Sequence, residues 1–67
     1  MTLYQQLVAA GVPTDNHESD LYCKATPEAL SLVRASGRMH SGFLNQVTRE
    51  YWLDIPFAYD PFWERRA

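Results

Sequence analysis

A single cysteine, Cys23, stands in a chain of 67 residues, so no disulfide within the chain can staple a fold of a size that commonly needs one. The chain must close around a hydrophobic core instead, and at this length there is material for one only. Nine aromatic residues and a hydrophobic fraction of 46% supply the large side chains such a core requires and set the chain apart from disordered sequences. Without metal or disulfide a core this small gives roughly 3–5 kcal/mol of net stability, which a dimer or a partner that binds the folded state would raise. The lone thiol also points to a reducing compartment. The stretch Met1 to Ala10 has no basic region and is interrupted by Gln5 and Gln6, unlike a signal or transit peptide, and no apolar run reaches the ~20 residues of a membrane helix. The expectation is a single domain spanning 1–67, cytoplasmic and away from membranes.

Leu3, Tyr4, Leu7 and Val8 form one apolar helical stripe, Thr2 can cap its start, and Gly11 and Pro13 can end it, which predicts a helix over 2–10. Thr14 to Asp20 is built of residues that bond their own backbone and reads as a loop of turns. Leu21, Cys23 and Ala25 alternate with Tyr22 and Lys24 as in a half-buried strand. Thr26-Pro27-Glu28 is a strong helix start, so a second helix should run from Pro27 to about Arg34, with Ala29, Leu30, Val33 and Leu32 toward the core and Ser36-Gly37 as its exit. After a loop from Arg38 to Gly42, Phe43 to Val47 and Tyr51 to Ile55 predict a hairpin around Thr48-Arg49-Glu50. In its second strand Tyr51, Leu53 and Ile55 share one face, which leaves Trp52 and Asp54 on the other, and Trp52 should be the less buried. Pro56 ends the ladder. The tail from Phe57 to Arg66 is too aromatic for a free terminus and should fold back across the sheet or a helix. There is no internal repeat or linker. The reading is an α+β domain in the order α-β-α-β-β, two helices on one face of an antiparallel sheet of about three strands.

Cys23, His17 and Asp20 are the residue types of a nucleophile, its base and an orienting acid. Cys23, however, alternates with Leu21 on the expected core face, where a free cysteine behaves as a small hydrophobe. Asp15, His17, Ser19 and Asp20 crowd metal-ligating atoms into a short stretch. An EF-hand loop beginning at Asp15 would need Gly at its sixth position and Glu at its twelfth, where Asp20 and Thr26 stand. Zinc would have to use Cys23, His17 and His40, isolated ligands without a short paired spacing. These comparisons leave no catalytic residue, no metal site and no cofactor, with His17 as a hydrogen-bonding pin of its loop.

The net charge of −2 is too mild for a nucleic-acid or membrane-surface binder, and Arg38, Arg49, Arg65 and Arg66 make no basic stripe. Its distribution is uneven, because Asp15, Glu18, Asp20 and Glu28 face only Lys24 within residues 15–28. Such a segment is either a solvated rim or a surface that steers a basic partner. Six of the nine aromatics fall between Tyr51 and Trp63. Most should fill the core, while Trp52, Tyr59 and Trp63 are the candidates to anchor an interface, as Trp and Tyr commonly do. The partner-binding set is therefore Asp15, Glu18, Asp20, Glu28, Trp52, Tyr59 and Trp63.

Three segments carry a family resemblance: Asn16-His17-Glu18-Ser19-Asp20-Leu21-Tyr22, Thr26-Pro27-Glu28, and the closing run from Tyr51-Trp52-Leu53-Asp54-Ile55-Pro56-Phe57-Ala58-Tyr59-Asp60-Pro61-Phe62-Trp63-Glu64. Together they span nearly the whole chain and resemble small proteins encoded by bacteriophages and prophages. Those proteins have Asp-Gly in the hairpin turn where this chain has Thr48-Arg49-Glu50. Small phage accessory proteins include the anti-CRISPR inhibitors, which this chain resembles in size. The resemblance implies a non-enzymatic protein in the host cytoplasm that binds a host defence complex such as a CRISPR-Cas effector. The alternative is an accessory protein of phage replication or assembly that acts through a homodimer or another phage protein. No residue role carries over from the resemblance.

Overall fold

Thr2 closes a reciprocal cap at the start of helix α1 (Leu3–Ala9): its hydroxyl accepts from the Gln5 amide at 3.1 Å, and the Gln5 side-chain oxygen accepts from the Thr2 amide at 2.9 Å. Two orphan donors of the first turn are thereby met. At the other end Gly11 takes a left-handed φ of 77°, its amide bonds the Val8 carbonyl, and the Val12 amide reaches back to that of Leu7. This is a Schellman closure, and its two hydrophobic positions, Leu7 and Val12, are both buried. The computed structural model describes residues 1–59; the expected fold-back of the tail beyond Tyr59, and Trp63 with it, lie outside them.

The next two strands form a hairpin, β1 (Thr14–His17) against β2 (Asp20–Lys24), with His17 opposite Asp20 and Glu18 held at φ 54° in the tight turn. The loop expected over Thr14 to Asp20 is thus corrected to an edge strand and a turn. Turn-forming side chains do not prevent pairing when their backbone can join a neighbouring ladder, and β1 shows no alternation because it is almost wholly exposed. Helix α2 (Pro27–Ser36) begins where Thr26 accepts from the Ala29 amide at 3.1 Å, with Pro27 in its first turn, and it ends at Gly37 with φ 71°. A second hairpin follows, β3 (Ser41–Asn45) against β4 (Glu50–Ile55). Its turn lies earlier than expected. The Asn45 side chain accepts from the amides of Val47 and Thr48, which draws Val47 out of the strand and into the bend.

The strands make one antiparallel sheet in the order β1-β2-β4-β3. Element order is therefore α-β-β-α-β-β with four strands, in place of the α-β-α-β-β arrangement with about three. The architecture is doubled: each half is a Thr-capped helix, then an outer strand, then an inner one. The inner strands β2 and β4 meet in the middle, Leu21 against Ile55 and Cys23 against Leu53. These four point to one face, where Leu3, Leu7, Val12, Ala29, Val33 and Ala58 close the core over them. Each fully buried aliphatic contributes about 1.5–3 kcal/mol.

Tyr51 and Trp52 exchange their expected roles. Tyr51 shares a face with Leu53 but is 66% exposed, because it stands at the strand end beyond the cover of the helices, whereas Trp52 on the opposite face is only 7% exposed.

Candidate functional site

Because both helices lie on the side of Leu21, Cys23, Leu53 and Ile55, no helix among the described residues covers the other face of the sheet. Its residues follow from the pairing. Asp15, Tyr22, Asp54 and Ser41 form one cross-strand row, and Lys24, Trp52 and Phe43 form the next. His17 and Asp20 pair beside the first row. Side chains opposite one another in a ladder project to the same side, so residues from all four strands converge on this face.

Tyr22 is at its centre. Its ring lies parallel to that of His17, with centroids 6.5 Å apart, and meets the Phe43 ring at 5.1 Å. Partial desolvation, and after it the charges of Asp54, Asp20 and Asp15, push the Tyr22 phenol above its ordinary value. Asp54 beneath these rings is raised as well, by desolvation first and then by the hydrogen-bonding and charge of Asp20, with His17 pulling the other way. Asp54 Oδ1 is buried and has no hydrogen-bond partner among the described residues. A proton on Asp54 shared with Asp20 relieves both that orphaned oxygen and the repulsion between two carboxylates. Trp52 Nε1 is the other buried polar side-chain atom without a partner among the described residues. At the rim Lys24 Nζ is 2.8 Å from Glu50 Oε2, so the lysine of this face is committed to a neighbour while Asp15, Asp20 and Asp54 have no ion pair among the described residues.

The structure divides the expected binding set. Asp15 and Asp20 belong to this face, and Glu18 is exposed at the β1–β2 turn beside them. Glu28 does not join them, since it sits in the first turn of α2 on the helical layer. Tyr59 packs edge-on against Tyr4 at 5.3 Å, and its amide donates to the Ser19 carbonyl. Trp52 lies on the face but is buried, and Trp63 is outside the described residues. Tyr22, Phe43, His17 and Asp54 were missed as members of a site. Their alternation with Leu21, Cys23 and Leu53 is visible in the chain, but the β2–β4 register that brings them together is not.

Cys23 and His17 project from opposite faces, so this imidazole cannot serve that thiol. Burial pushes the thiol up to about 11, the direction opposite to that of a reactive cysteine. Among the described residues there is no cavity, no group of three or more metal-ligating side chains, and no helix long and apolar enough to cross a membrane. The chain matches no protein-family model, no curated protein sequence and no solved structure.

Proposed function

We propose that this protein works by binding another protein through the open face of its sheet, as a phage-encoded inhibitor of a host defence complex. The observation that carries the binding reading is the pair Asp15 and Asp20 beside Tyr22, free of ion pairs among the described residues and flanked by the rings of His17 and Phe43. Carboxylates beside aromatic rings suit a basic protein surface: charge steers the encounter, and arginine guanidinium groups both pair with carboxylates and stack on rings. A nucleic-acid channel of a defence effector such as a CRISPR-Cas complex offers that chemistry. The choice of such a partner rests on the resemblance to small phage proteins.

Affinity capture of the tagged protein from host cells, followed by mass spectrometry, tests the reading. Recovery of defence-complex subunits is expected, with Asp15→Lys and Glu18→Lys slowing association and reducing its dependence on salt. Recovery of phage replication or structural proteins would favour the accessory role. Association with defence subunits that is unchanged in both charge reversals, in folded protein, would remove the acidic face from the interface.

A further inference from the structure

Glu50, Trp52 and Asp54 alternate along β4 and so project together from the face that no helix among the described residues covers. Trp52 is the most enclosed of the three: it is 7% exposed, and its Nε1 is buried with no acceptor among the described residues. A buried donor left in that state costs free energy that a bonded one does not, and Trp is among the side chains that most often anchor a protein interface. The register shows what stands on its two flanks. Phe43 is opposite Trp52 on β3, and Lys24 is opposite it on β2.

The two flanks are held differently. The Phe43 ring is braced by the Tyr22 ring, 5.1 Å away. Lys24 has its backbone opposite Trp52, yet its Nζ is 2.8 Å from Oε2 of Glu50, one pleat further along β4, so its stem runs past the indole on the way. Both ends of this ion pair are exposed, the Lys24 side chain by 38% and that of Glu50 by 43%, and exposed pairs hold weakly. β2 ends at Lys24, and among the described residues no strand flanks Glu50 on that side. The lysine is therefore free to swing outward, and when it does one flank of the indole opens directly beside a carboxylate.

We propose that Lys24 holds, in the free protein, a seat that an arginine of the basic partner takes on binding: the guanidinium replaces the Lys24 ammonium on Glu50 and lies on the Trp52 ring, and the main chain that carries it offers a carbonyl to Nε1. An indole beside a carboxylate suits a guanidinium, which is planar, stacks on aromatic faces and pairs with both oxygens at once, whereas a lysine of the partner could only repeat what Lys24 already does. The proposal rests on the reading of the open face as a binding surface and adds to it the residue recognised. Glu18 and Asp20 lie at the opposite end of β2, where their charge steers the encounter, and the exchange at Glu50 then fixes how the partner sits.

NMR titration of the isotope-labelled full chain with acetyl-Gly-Arg-Gly-amide, and with its lysine and citrulline counterparts, tests the seat at the Trp52 indole N–H resonance, told apart from that of Trp63 by Trp63→Phe. The arginine peptide should move that resonance and bind at least ~10-fold more tightly than the other two. Lys24→Met keeps the bulk of the stem and removes the competing charge, so it should tighten arginine binding at least ~3-fold, while Arg34→Met, the same change of charge on the helical layer, should not. Glu50→Gln, at an exposed position, should weaken it at least ~10-fold in protein whose circular dichroism is unchanged. Equal binding of the arginine and lysine peptides overturns the proposal, as does arginine binding that Glu50→Gln leaves intact or the absence of any arginine binding. Shifts confined to Asp15, Glu18 and Asp20 overturn the seat and leave the acidic face as the binding surface. A Trp52 indole resonance that moves with protein concentration alone gives the seat to an arginine of a second copy and overturns the assignment to a partner.

Discussion

Tyr22 and Phe43 belong to strands that do not pair, yet their rings meet 5.1 Å apart across β4, the strand between them. Neighbouring strands are about 4.8 Å apart, so each ring must lean inward over the central strand, which carries Asp54 and Trp52 on this face. The contact ties the inner strand of one half of the domain to the outer strand of the other. Replacing Tyr22 and Phe43 by Leu, singly and together, should reveal a coupling of about 0.5–1.5 kcal/mol in urea unfolding. Additive effects would mean that the two rings touch without supporting one another.

Cys23 should behave as a core residue. Its folded thiol titrates at about 11, above its ordinary value, so between those two values the unfolded chain releases a proton that the folded chain keeps. Stability should fall as pH rises from roughly 9 to 11, with a slope of at most ~1.4 kcal/mol per pH unit. Cys23→Ala should remove the thiol's share of that slope, leaving the part that the raised Tyr22 phenol contributes, and cost about 1–2 kcal/mol at neutral pH through the cavity it leaves. Native alkylation as fast as that of the unfolded chain would show that the thiol is accessible.

Asp54 has the same sign. Its folded value is raised, so its favourable contribution is complete below the ordinary carboxylate value of about 3.9 and is lost as pH rises through the folded one. Asp54→Asn removes the ionisation and keeps a hydrogen-bonding group beside Asp20. The variant should be more stable than the wild type at neutral pH, with a difference that shrinks as the medium is acidified. Thermal melts across the acid range read this directly, and a variant less stable at neutral pH would place the group in a favourable ionised state instead.

The ends of α2 offer a separate measurement. Thr26→Ala removes the acceptor of the Ala29 amide and should cost about 1 kcal/mol. Gly37→Ala meets no obstructing atom but must hold φ at 71°, which should cost a similar amount, about 1 kcal/mol. A neutral Gly37→Ala would show that the helix end rearranges.

Local chemistry made the helices and the second hairpin legible in the chain. Thr2, Gly11, Thr26, Pro27 and Gly37 act through atoms a few residues away, and those interactions can be read without knowing the fold. β1 was hidden because a strand exposed on both faces has no alternation, and Thr14 to His17 pair only because β2 is beside them. The exchange of Tyr51 and Trp52 was hidden for a different reason. Alternation tells which residues share a face, but the extent of the helices decides which part of that face is covered. The open acidic face was half legible, in Asp15, Glu18 and Asp20. Asp54 and Phe43 join it through pairings between distant segments, and Glu28 stands apart from it on α2, because closeness in sequence does not keep a helix and a strand on one side of a sheet.

The doubled architecture bears on how the chain folds. Each helix and hairpin is made from contacts between near neighbours, whereas the central ladder joins Cys23 to Leu53 and Leu21 to Ile55. Bringing such positions together closes a loop of roughly 30 residues, and its entropy is lost before the core contacts compensate for it. Neither half has a core of its own, since the residues that close it come from both. Commitment to the native state therefore falls at the docking of the two halves, and a nascent chain that has displayed only the first helix and hairpin must wait for β4 before it can become cooperative.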